Sequence, residues 1–105
     1  MLAILGLVVG AFAMGAVIYL AYTLTVSVLK SYKKKKTSKI MAAQVKDLIK
    51  SAPSMSLDDL DDDDIVLAEY DPIGDELVQD ITVAKDVDSK VSNIVDGNGG
   101  IVVFD

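Results

Sequence analysis

The side chains of this chain that could do chemistry are carboxylates and ammonium groups, and they are sorted into blocks. Asp58, Asp59, Asp61, Asp62, Asp63 and Asp64 form an acidic run. Hard cations take carboxylate oxygens, so the run raises the question of a Ca²⁺ site. An EF-hand frame does not fit it. Starting that loop at Asp59 puts Asp61 and Asp63 on ligand positions, but Asp64 falls where Gly belongs and Tyr70 where the bidentate Glu belongs. Four adjacent Asp cannot all face one ion without a purpose-built loop. The favoured reading is a solvated segment that binds a protein partner, with Ca²⁺ the lesser one and no cofactor expected.

The ammonium groups precede it. Lys30, Lys33, Lys34, Lys35, Lys36 and Lys39 are packed into ten positions. Next to an apolar run they predict seating on anionic lipid headgroups, each Lys adding about 1 kcal/mol near the surface. Nucleic acid is not expected, since only Tyr32 lies near to stack on a base. The chain has no Cys, His, Trp or Arg. Thiolate metal sites, disulfides and the commonest general base are therefore ruled out. Bidentate phosphate recognition by guanidinium is ruled out too. The loop Asp96-Gly97-Asn98-Gly99-Gly100 is no phosphate cradle, because no Gly-Lys-Ser/Thr accompanies it. No nucleophile and base can be paired, so the sequence predicts a non-enzymatic protein.

The elements that would position these groups begin with residues 1–29, which hold no charged side chain. A bilayer core is about 30 Å thick and needs about 20 apolar residues. The stretch therefore predicts a single-pass transmembrane helix. The Lys block behind it predicts the N-terminus out and the C-terminus cytoplasmic, or the equivalent in a virion's internal membrane. Ala3, Gly6, Gly10 and Ala13 form a small-residue stripe containing a GxxxG, which suits helix association and a homo-oligomer.

Residues 30–52 read as a basic juxtamembrane segment with an amphipathic helix over 37–52, stopped by Pro53. Residues 53–64 read as an acidic linker. Residues 65–105 read as a small acidic β-rich, α+β region. Its signals are the apolar run Ile65–Leu67, turn chemistry at Asp71–Asp75, an alternating strand from Ile81, and a C-terminal hairpin of Val91–Val95 with Ile101–Phe104.

From residue 30 to 50 the charge is +8 - 1 = +7, and from 51 to 105 it is +2 - 15 = -13. The expected function is a tether. Lipid would hold one end, and the acidic part would engage a protein with a basic or edge-strand surface, such as a coat protein. The setting would be the capsid–membrane interface of a lipid-containing virus. An accessory subunit of a bacterial membrane complex is the alternative, and a small oligomeric pore is the third.

Overall fold

The computed structural model describes residues 2–52 and 60–104, apart from the side chains of Leu2 and Ala3. The uncharged N-terminal run is not one element: it holds a helix, a strand and, from Val26, the start of a second helix. Helix α1 spans Leu2–Met14 and strand β1 spans Val17–Tyr19. The break is at Gly15, whose φ of 75° suits a residue without a Cβ. The amides of Gly15 and Ala16 turn back to Phe12 and Ala11 oxygens at 3.2 and 2.9 Å. Beyond the break Val17, Ile18 and Tyr19 are types that favour strands.

Thirteen residues of helix reach about 20 Å. Among the described residues, no helix is long and apolar enough to cross a membrane. This overturns the single-pass transmembrane fold, the membrane placement and the orientation drawn from the Lys block. The expectation failed because hydropathy measures distaste for water and does not distinguish lipid from a protein interior. Here α1 lays Ile4, Leu5, Val8 and Ala11 on a sheet, while Ala13 and Met14 face out.

The remaining elements are α2 (Val26–Ser31), β2 (Lys39–Gln44), α3 (Val45–Ser51), β3 (Ile65–Asp71), β4 (Glu76–Leu77), β5 (Ile81–Ala84), α4 (Ser89–Gly97) and β6 (Ile101–Phe104). The strands form one mixed six-stranded sheet in the order β1-β5-β3-β2-β6, with β4 beside β3. Among the described strand pairs β1–β5 is the parallel one, with Val17 opposite Ile81, and an isolated parallel bridge joins Leu24 to Val87. In the antiparallel β2–β3 pair, Ala42 lies opposite Leu67.

Side chains alternate across this sheet and build two cores. Met41, Ala43, Val66, Ala68, Ile81 and Val83 meet α1 together with Val45 and Leu48 of α3. Ile40, Ala42, Ile65, Leu67 and Ala84 meet Leu29 of α2 and Val91 and Val95 of α4. Strands covered on both faces read as continuous apolar runs, which hides their period. That is why residues 37–52 are not one amphipathic helix. Lys39–Gln44 is a strand buried on both sides, and only Val45–Ser51 is helical.

The expected hairpin is corrected for a related reason. Val91, Ile94 and Val95 follow the three–four spacing of a helix and lie in α4. The Gly/Asn segment is the exit of that helix. Gly100, at φ 90°, donates to the Val95 oxygen at 2.9 Å and accepts from the Gln44 amide at 2.8 Å, which aims β6 onto β2. The turn over residues 72–75 lies where the sequence puts it, and so does the strand opened by the Ile65–Leu67 run. A strand does start at Ile81, but it ends at Ala84 and is buried on both faces, not half-buried with alternation to Val87.

Candidate functional site

Strand β3 carries Glu69 among apolar neighbours, with 0 % of its surface exposed. A buried carboxylate is costly unless hydrogen bonds replace its water. Here they do. The Lys34 amide donates to Oε1 and Oε2 at 2.9 and 3.0 Å, and the Lys35 amide to Oε2 at 2.8 Å. Ser38 Oγ donates to Oε2. Gln79 Nε2 donates to Oε1 at 2.7 Å and also to the Tyr32 carbonyl at 2.9 Å. Burial pushes the Glu69 carboxyl up, but bonds from Ser38, the two amides and Gln79 outweigh it and hold the pKa below the ordinary value.

Tyr32 closes the other side of the network. Its hydroxyl lies 3.0 Å from Thr82 Oγ1, and the carbonyls of Asp80 and Leu67 are 3.3 and 3.4 Å away. Burial raises its pKa to about 12, only partly offset by Thr82, with Glu69 and Asp80 pushing the same way as burial. Glu69, Ser38, Gln79 and Tyr32 therefore form one fixed polar core beneath residues 33–38.

This core holds the lysine-rich segment in place. Helix α2 enters it from an N-cap, where Thr25 Oγ1 accepts from the Val28 amide at 3.2 Å. Its last turn carries Lys30. The next residues are pinned through their backbone by Glu69, so their side chains turn outward. Lys30, Lys33, Lys34, Lys35 and Lys36 line one open cavity of about 320 Å³. Lys35 folds back onto Asp71, whose side chain is 2 % exposed. Asp71 also accepts from the Ile73 amide at 3.0 Å. The Lys35 ammonium holds the Asp71 carboxyl below its usual range, and Asp71 raises Lys35.

Among the described residues, Lys30, Lys33, Lys34 and Lys36 make no ion pair. Lys39 opens β2 and does not line the cavity. Four like charges around one cavity repel each other, which disfavours the empty arrangement and favours an anion between them.

The other residues singled out from sequence lie elsewhere. Asp58 and Asp59 fall outside the described residues. Asp61, Asp62 and Asp63 are exposed. Asp64 is buried and accepts from the Asp61 amide at 2.9 Å and from Lys85 Nζ at 2.8 Å. Asp63 is 4.0 Å from Lys46. Among the described residues no three acidic side chains converge as a metal-holding group. On α1, Gly6 and Gly10 line a cavity of about 430 Å³ with Met14, Leu77 and Asp80, and Ala13 is exposed. Ala3 lies in the first turn of the same helix.

Lys30 and Lys33–Lys36 thus line one cavity and Lys39 stands apart from it, while among the described acidic residues Asp61–Asp63 are exposed and Asp64 is buried against Lys85. Sequence reasoning missed Glu69, Ser38, Gln79 and Tyr32. One signal was available: a single carboxylate inside the otherwise uncharged stretch Ile65–Tyr70. No family model matches this chain, and neither a curated protein nor a solved structure was found to match it.

Proposed function

We propose that this chain is a non-enzymatic binding module whose lysine rim, Lys30, Lys33, Lys34 and Lys36, holds an anionic ligand rich in phosphate or carboxylate oxygens. One observation carries the reading: a buried carboxylate fixes the backbone of a segment in which Lys35 pairs with Asp71, while the ammonium groups of Lys30, Lys33, Lys34 and Lys36 make no ion pair among the described residues and gather at one cavity. Pre-organisation of that kind lowers the entropic cost of binding. Lys acts as a point charge, so affinity comes from charge density and is strongly sensitive to salt. The non-enzymatic assignment is supported by the lack of His and Cys and by the saturation of Glu69 and Asp71 with internal donors.

The test uses inorganic triphosphate, with sodium chloride at the same ionic strength as control. Triphosphate should raise the thermal unfolding midpoint well beyond the chloride control, and Lys33→Ala/Lys36→Ala should remove that excess. Equal shifts with triphosphate and chloride would refute the reading.

A second reading keeps the expected interaction role. Strand β1 is an open edge, and Ile18 and Tyr19 on it are 49 % and 53 % exposed. A partner strand could add there through main-chain hydrogen bonds. Tyr19→Pro, which removes a main-chain donor that faces away from β5, should abolish capture of such a partner, whereas Tyr19→Thr should not.

A further inference from the structure

A second cavity adjoins the lysine rim and shares two of its residues. It has a volume of about 340 Å³ and lies over the sheet between α2 and α4. Its walls are Val26 and Leu29 of α2, Ile40 of β2, Ile94 of α4 and Phe104 of β6. Lys30 and Lys33 complete the lining, and these same two lysines line the cationic cavity. An apolar hollow therefore opens directly onto a cluster of ammonium groups. Ile94 is 42 % exposed to solvent there, an arrangement that water disfavours and an apolar group would relieve.

We infer that these joined cavities form a binding site for a single-chain anionic amphiphile, with the hydrocarbon chain over Leu29, Ile40, Ile94 and Phe104 and the anionic head between Lys30 and Lys33. This rests on the proposed anion-binding reading and gives it a ligand class. The volume falls within the range of small-molecule sites, which are mostly apolar with a few polar groups that fix orientation. A purely hydrophilic anion would leave the apolar half empty. A neutral alkane would leave the ammonium groups uncompensated. Charge complementarity thus selects an anion at one end, and the uncharged wall selects hydrocarbon at the other. Each methylene buried in the hollow tightens binding about fourfold until the chain fills it.

The test is calorimetric titration of the full chain with decanoate below its micelle concentration. Acetate serves as the head-only probe and decyltrimethylammonium as the chain with opposite charge. Decanoate should bind, octanoate should bind about sixteenfold more weakly for two fewer methylenes, and acetate and the cation should show no saturable binding. Ile94→Asp should abolish decanoate binding and leave the triphosphate effect intact, while Lys33→Glu should weaken both. Equal binding of decanoate and decyltrimethylammonium would overturn the inference. So would a concentration-dependent dimer lost in Ile94→Asp, which would give the hollow to a second copy of the chain. If triphosphate binds and decanoate does not, the amphiphile site falls and the anion-binding reading stands; if neither binds, both fall.

Discussion

Replacing Glu69 by Gln keeps the size and shape of the side chain and removes its charge. In the native chain both carboxylate oxygens face donors: the amides of Lys34 and Lys35, Ser38 Oγ and Gln79 Nε2. A Gln amide has one oxygen and one NH₂. With NH₂ at the Oε2 position, the Lys35 amide meets a donor. With NH₂ at the Oε1 position, Gln79 Nε2 meets one, and flipping Gln79 sacrifices its bond to the Tyr32 carbonyl. Either rotamer leaves at least one buried donor without a partner, at about 1–3 kcal/mol, and turns charge-assisted bonds into neutral ones. The expected loss is about 2–4 kcal/mol, large against a stability of about 5–15 kcal/mol for a domain of this size but not enough to prevent folding.

Urea titrations followed by circular dichroism measure this loss, and its pH dependence identifies the cause. The folded-state pKa of Glu69 lies below its unfolded value. The stability it contributes is therefore full above the unfolded pKa of about 4.3 and fades as pH falls through the folded value. The gap between the native chain and Glu69→Gln should accordingly be widest near neutral pH and close in acid. Equal stability at neutral pH, or a gap unchanged down to about pH 2, would refute the assignment of Glu69 as the charged anchor of the lysine segment.

Gly100→Ala should destabilise by about 2–4 kcal/mol in the same assay, because the residue has a φ of 90° and a Cβ there would run into the side chain of Asp47. Tyr32→Phe should cost about 1–2 kcal/mol at neutral pH through the lost bond to Thr82. It should also remove an alkaline transition. The folded pKa of about 12 exceeds the unfolded value of about 10, so the stability contributed by neutral Tyr32 is present below pH 10 and lost as pH rises toward 12. Ultraviolet phenolate titrations of the native chain and of Tyr32→Phe should differ by one group, ionising near pH 12 and present only in the native chain.

Parts of this fold can be read from sequence because one residue type decides them. Pro72 and Gly74 mark the turn between β3 and β4, and the β-branched residues Ile81, Thr82 and Val83 mark β5. The clustering of Lys30 and Lys33–Lys36 is legible in the same way. The N-terminal run misleads because its first two elements are apolar for different reasons. Helix α1 needs one face against the sheet, and β1 takes its strand form from the branched Val17 and Ile18. The punctuation between them is a single Gly15 in a region where glycine is common. Lys39–Gln44 resembles a helix face because a strand covered on both sides loses its alternation. The link from Glu69 to Lys34 and Lys35 spans about 35 positions, and no local spacing can reveal it.

The pairing of β1 with β5 has a consequence for the order in which the molecule is made. Val17 finds Ile81 across 81 - 17 = 64 positions, and among the described strands β1 pairs with β5 alone. While a ribosome is still adding the residues between them, the greasiest portion of the polypeptide has already emerged without its platform. Non-local contacts of this sort are slow to close and leave sticky surface open to stray encounters. A holding factor at the exit tunnel, or a translation rate brisk enough to deliver β5 early, should therefore raise the yield of this protein.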